Sequence, residues 1–279
     1  MQPDEFAHLR YDVDDGVALV TLHRPERRNA WSGPMAVEYR WALHHAHTDP
    51  GVRVVVLTGA GPAFCAGADT GLLDAIGDAS GSYTRERAEL PPYPDGTPPQ
   101  LRHNHTAPLA IGTPLIAAVN GACAGAGFVL ATYCDLRWAA ESAVFATAFA
   151  GLGLPAEYGI GWMLPRITGS ANALDLLLDP ARRSARRAEQ LGFVQRVLPD
   201  DELLPEVLVF ARHLARHASA ESLRTIKRAV WVDAAGDLDE AYRRSVADME
   251  AALTGPDFRT GVAATRAKAR PDFLAGTDA

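Results

Sequence analysis

The run Val52-Arg53-Val54-Val55-Val56-Leu57-Thr58 leaves a folded chain few options. It is β-branched, nearly all apolar and has no inside–outside alternation, as in a strand covered on both faces of a sheet. Gly16–Leu22 and Leu115–Val119 read the same way. A helical pattern separates the first two runs: Pro34–His47 carries apolar residues at helical spacing and stops at Asp49-Pro50-Gly51. After the second and third runs come turns built from glycine and alanine, Phe64-Cys65-Ala66-Gly67-Ala68-Asp69 and Asn120-Gly121-Ala122-Cys123-Ala124-Gly125-Ala126-Gly127, each predicted to open a helix, the first from about Thr70. Further short strands are expected at 136–139 and 143–145, and a turn and helix over 152–166. From Asn172 onward the pattern is mainly helical, with Gly192 as a C-cap. Strands alternating with helices predict an α/β chain with a mainly parallel sheet.

Residues 77–108 interrupt this grammar with proline, glycine and charge. They read as a long loop, with at most one short helix, rather than a domain linker, because the strand–turn–helix order resumes after them. At 279 residues and 48% apolar the chain can bury a sizeable core, and no repeat of fixed period is evident. A net charge of −7 disfavours non-specific binding to nucleic acid or anionic membranes, though a local basic patch can still hold an anionic small molecule. The N-terminus has no signal-peptide pattern and no run is apolar and long enough to span a bilayer, so a cytoplasmic location is the expectation. Cys65, Cys123 and Cys134 lie in small apolar surroundings and read as buried reduced thiols. His44, His45 and His47 lack i,i+4 spacing, and no metal is expected.

The small residues of the two turns let backbone approach a ligand, and helix starts leave N–H groups unpaired. Two such turns facing each other would aim two donors at one oxygen, forming an oxyanion hole. Tight helix–strand packing explains the glycines equally well. A dinucleotide fingerprint does not: Gly125-Ala126-Gly127-Phe128-Val129-Leu130 lacks the third glycine and sits mid-chain, and no GxxxxGK[ST] loop is present.

Four segments in order, GVALVTLHRPERRNAW, DPGVRVVVLTGAGPAFCAGAD, TPLIAAVNGACAGAGFVLATYCDLRWAA and ARRAEQLGFVQRVL, resemble the enoyl-CoA hydratase/isomerase (crotonase) superfamily. The resemblance runs from about residue 10 to 273. It implies the crotonase (ClpP/crotonase-like) fold of stacked ββα units, with residues 1–200 as the core and 201–279 as a helical oligomerisation region. It also implies a homotrimer or dimer of trimers, an acyl-CoA thioester as substrate, no further cofactor, and a place in fatty acid metabolism. The oxyanion donors would be the backbone N–H groups of Ala68 and Ala126. Ala66, Asp69 and Thr70 would flank the CoA pantetheine and adenine region, and Arg28 and Lys268 would contact CoA, although both also read as solvated surface charges.

The chain departs from the family at two positions. Where typical hydratases place two glutamates it has Val129 and Phe149, neither of which can orient or deprotonate water. Other branches of the family, isomerases and dehalogenases among them, carry an aspartate near Glu157, which becomes the leading acid/base candidate. A pocket lined by Val129 and Phe149 would raise its pKa by desolvation. The other explanation for Glu157 is a helix-start residue favoured by the helix dipole. His103 or His105, in the long loop, is a candidate second proton carrier, and Tyr158 and Trp162 are either pocket wall or core. The Arg182-Arg183/Arg186-Arg187 run reads as a solvated helix face or an oligomer contact. The resemblance therefore predicts an enoyl-CoA hydratase-like lyase. Enoyl-CoA isomerase, acyl-CoA hydrolase or dehalogenase, and a catalytically silent CoA-ester-binding protein are the alternatives.

Overall fold

A computed structural model describes residues 1–69, 89–233 and 236–275. The predicted helix start at Thr70, and the loop through residue 88, lie outside the described residues. Among the described residues ten strands form two sheets: β1 Leu9–Asp14, β2 Val17–Leu22, β3 Val54–Gly59, β4 Ala63–Cys65, β5 Leu115–Val119, β6 Ala122–Ala124, β7 Leu136–Ala140, β8 Val144–Ala146, β9 Arg183–Ser184 and β10 Arg196–Leu198. The larger sheet has the order β1-β2-β3-β5-β7-β10 and the smaller β4-β6-β8-β9. All neighbours are parallel except β1–β2 and β8–β9. The chain thus leaves a long strand of the first sheet, makes a short strand in the second, and returns, three times over: β3–β4, β5–β6 and β7–β8.

The helices are α1 Gly33–Thr48, α2 Ala107–Ala110, α3 Ala126–Thr132, α4 Ile160–Thr168, α5 Ser170–Leu178, α6 Ala185–Gln190, α7 Leu203–His217, α8 Ala220–Trp231, α9 Leu238–Thr254 and α10 Pro256–Arg266. α1 starts where Ser32 accepts the Met35 N–H, with Pro34 in its first turn, and ends where Asp49 accepts the Gly51 N–H. α7 lies along β2, β3, β5 and β7 and buries Leu203, Val207, Ala211 and Ala215. β3 is buried at every position, as its composition predicts. No described helix is long and apolar enough to cross a membrane.

Three features differ from the sequence expectation. The glycine/alanine segments are not simple turns, because β4 and β6 are embedded in them. Three residues, Ala63-Phe64-Cys65 or Ala122-Cys123-Ala124, are too few to show a strand period, and tertiary pairing of Ala63 with Ala122 and Cys65 with Cys123 makes the strands. β1, Leu9–Asp14, is an edge strand, largely exposed, and the sequence pattern does not mark it. β9 and β10 interrupt the region expected to be helical. The arginine run, in turn, is an ion-pair network: Arg183 reaches Asp175 and Asp179, Arg186 reaches Glu141 and Glu189, and Arg187 reaches Asp175.

α8 is tied to the core by a buried cation. Lys227 Nζ lies 2.7 Å from Asp135 Oδ2 and donates to the Thr113 carbonyl at 3.0 Å. Asp135 also accepts the Leu115 N–H (2.7 Å) and the Trp231 indole N–H (2.8 Å). Lys227→Met leaves that carboxylate without its counter-charge, which costs about 3 kcal/mol for a buried pair. A urea-unfolding midpoint equal to that of the parent chain would contradict this.

Candidate active site

Two asparagines shape the first turn. Asn29, fully buried and left-handed (φ 54°), donates from Nδ2 to the Ala60 (2.9 Å) and Ala63 (2.7 Å) carbonyls. Asn120 Nδ2 donates to the Gly59 (2.8 Å) and Gly61 (2.9 Å) carbonyls, while its Oδ1 accepts the Gly59 N–H at 3.1 Å. Trp31 then holds the two residues flanking Ala68: its N–H donates to the Gly67 carbonyl (2.7 Å) and its carbonyl accepts the Asp69 N–H (2.9 Å). In that parallel bridge the Ala68 N–H points away from Trp31 and has no partner among the described residues.

The second turn begins where the Gly125 N–H donates to the Ala146 carbonyl at 3.0 Å. Gly125 is left-handed (φ 48°), and Ala126 follows as the first residue of α3, where an N–H has no intrahelical acceptor. The turns are in direct contact. A methyl group on Gly127 would fall 2.1 Å from the Cys65 carbonyl oxygen, so only glycine fits there. One on Gly125 would meet the Gly67 Cα at 3.7 Å. The glycines therefore serve close packing, and the same packing sets on adjoining turns two N–H groups that have no partner among the described residues.

The remaining predicted residues are placed as follows. Ala66 is exposed, and its N–H donates to the Arg28 carbonyl at 3.1 Å. The Arg28 side chain is exposed on a left-handed residue (φ 50°) beside this turn. Asp69 is ion-paired with Arg24 at 2.9 Å. Lys268 is exposed beyond α10, a helix that packs on α9. Val129 and Phe149 are core residues, 0% and 3% exposed, so no carboxylate occupies either position. Thr70 lies outside the described residues.

Glu157 is half-buried in the loop before α4, and desolvation pushes its carboxyl above the ordinary glutamate value. Tyr133, just past α3, donates its hydroxyl to the Tyr158 carbonyl at 2.5 Å and so fixes this loop against the helix that Ala126 begins. Tyr158 and Gly159 line a cavity of about 690 Å³ together with Leu101, His105, Leu109, Tyr133, Trp162 and Trp231, among others. Glu157 is next to this wall in sequence. His105 stacks on Tyr158 (ring centroids 3.8 Å apart), and burial lowers its pKa to about 4, so it is neutral near pH 7. His103 is exposed at the cavity edge. The three cysteines are buried and joined by no disulfide, and burial pushes the Cys65 and Cys134 thiols up to about 12.

Sequence reasoning missed Asn29, Asn120, Trp31 and Arg24. Only Asn120 carried a local signal, a polar residue directly after the apolar strand β5, where the backbone must turn without losing its hydrogen bonds.

Two sheets threaded by repeated ββα units, with small-residue turns meeting between them, define a crotonase-fold α/β protein. The enoyl-CoA hydratase/isomerase family model matches residues 12–275, and the chain belongs to that family. It is 36% identical to a protein named probable enoyl-CoA hydratase from Rhodobacter capsulatus, covering 95% of this chain and 97% of the relative. It is also 36% identical to 1,2-epoxyphenylacetyl-CoA isomerase of Escherichia coli K12, covering 94% and 96%. The crystal structure of an enoyl-CoA hydratase from Bacillus anthracis superposes with a TM-score of 0.80 at 27% identity, covering 95% of this chain and 98% of that one.

Proposed function

We propose that this chain catalyses proton transfer on an acyl-CoA thioester, with the carbonyl oxygen held by the Ala68 and Ala126 N–H groups and Glu157 as the acid/base. The observation that carries this reading is the contact between the two turns, each presenting an N–H with no partner among the described residues. Donors fixed before substrate arrives need no reorganisation as charge moves onto the thioester oxygen. For hydration, Glu157 takes a proton from water as the water oxygen bonds to the β-carbon, and delivers that proton to the α-carbon. For isomerisation, it takes a proton from the γ-carbon and delivers it to the α-carbon. In both, the enolate oxygen sits on the two N–H groups. Hydration of a 2-enoyl-CoA and migration of its double bond both follow this scheme. Isomerisation has a specific argument in its favour: it needs one shuttling base, and Val129 and Phe149 leave both usual carboxylate positions apolar, with Glu157 as the single acid/base. Arg28, Ala66, Asp69, Thr70 and Lys268 are assigned to the CoA moiety. α9 and α10 bury none of their residues and expose Leu238, Tyr242, Met249 and Phe258, which supports self-association through this region, assigned by the family resemblance to a trimer or dimer of trimers.

The test is exchange of the α-proton of a saturated acyl-CoA in D₂O, run beside a panel of 2-enoyl-CoAs followed by loss of conjugated absorbance or double-bond shift. Exchange with turnover of at least one enoyl ester is the expected result. Neither signal with any ester overturns the catalytic reading.

A further inference from the structure

Resting on the acyl-CoA reading above, we propose that the cavity walled by Leu109, Tyr133, Tyr158, Trp162 and Trp231 takes the acyl group, and that it selects a flat, ring-bearing acyl chain, aryl or fused-ring, over a straight one. Its size is the first argument. About 690 Å³ is the volume of roughly 20 water molecules and falls within the ~300–1,000 Å³ of pockets for drug-sized ligands, far more than a four-carbon acyl chain fills.

The second argument is what the walls present. The polar ends of two aromatic residues are already engaged: the Tyr133 hydroxyl by the Tyr158 carbonyl, and the Trp231 indole N–H by Asp135. Thr106 is likewise used, donating to the Leu101 carbonyl at 2.8 Å. The rings thus contribute apolar faces, to which planar groups bind by offset stacking or edge contact. Trp162 is held at the rim under the Arg166 guanidinium, 3.5 Å from its ring centroid.

The third argument is preorganisation. Tyr158 is a non-glycine residue in the left-handed region (φ 52°) whose ring stacks on His105. A methyl group on the adjacent Gly159 would lie 2.9 Å from the Tyr133 hydroxyl, so the backbone is packed tightly there. Asp135 and Lys227 do not touch the cavity lumen, and act through Trp231 as positioning residues. A slot whose aromatic walls are fixed before binding favours a rigid planar ligand, which loses little conformational freedom, over a flexible chain.

The experiment is calorimetric binding to the full chain of three probes: CoA, a straight-chain saturated acyl-CoA, and a phenyl-substituted saturated acyl-CoA of equal carbon number. The phenyl ester is expected to bind about tenfold more tightly than the straight one. His105→Ala, which removes one ring of the stacked pair, is expected to reduce that preference by roughly 2- to 12-fold, the worth of an aromatic pair. His105→Phe is expected to restore it, which separates ring stacking from loss of an imidazole and from misfolding. Equal affinity for the two esters overturns this proposal while leaving the acyl-CoA site standing. Failure of all three probes to bind overturns both.

Discussion

Glu157→Gln will lower turnover of any productive acyl-CoA by about 10²- to 10⁴-fold, the usual contribution of a positioned general acid or base. The amide keeps the size of the side chain and cannot accept the substrate proton as a carboxylate does. Binding of a saturated acyl-CoA should change little, because neither the oxyanion donors nor the cavity wall is altered. The pH profile supplies an independent readout. Desolvation raises the Glu157 pKa, and the deprotonated form is the base, so the parent rate should climb as pH rises through a value above the ordinary glutamate range and then level off. Glu157→Gln should lose that limb. A variant retaining parent turnover and the same limb would remove Glu157 from the chemistry and leave it a loop residue before α4.

Ala126→Pro will lower kcat by about 10²- to 10³-fold, corresponding to ~2.7–4 kcal/mol for one lost oxyanion donor. The substitution deletes one backbone N–H. It does so at the first position of α3, where proline is compatible with a helix and no intrahelical hydrogen bond is lost. The circular dichroism spectrum and melting temperature should therefore stay near those of the parent, with the loss confined to catalysis. Full activity in a folded Ala126→Pro protein would exclude the Ala126 N–H as a thioester ligand. Gly127 is the wrong position for such a test, since any side chain there collides with the Cys65 carbonyl and perturbs both turns together.

How far the sequence reaches differs from element to element. Val54–Gly59 and Leu115–Val119 are legible because a strand buried on both faces has a composition unlike any other element. α1 is legible because Ser32, Pro34 and Asp49 mark its ends with local chemistry. β4, β6 and β9 are not, since runs of only two or three residues have no period to detect, and only pairing with a distant strand makes them strands. Leu9–Asp14 escaped for the opposite reason: an exposed edge strand carries surface residues. Among the site candidates, Ala68 and Ala126 followed from the family pattern, whereas the roles of Asn29 and Asn120 are visible only once Gly59–Ala63 is seen to need acceptors and donors from two separate segments.

Local chemistry thus decided the class of fold, the positions of the long strands and helices, and the absence of carboxylates at residues 129 and 149, because each is written in neighbouring residues or in their identity. Tertiary structure alone decided that the two glycine-rich turns touch, that Tyr133 ties the Glu157 loop to the end of α3, and that His105, Tyr158 with Trp162, and Trp231, from three separate segments, wall one cavity. Those outcomes depend on close approach of chain segments tens of residues apart, and packing at that range leaves no periodic signature in the sequence.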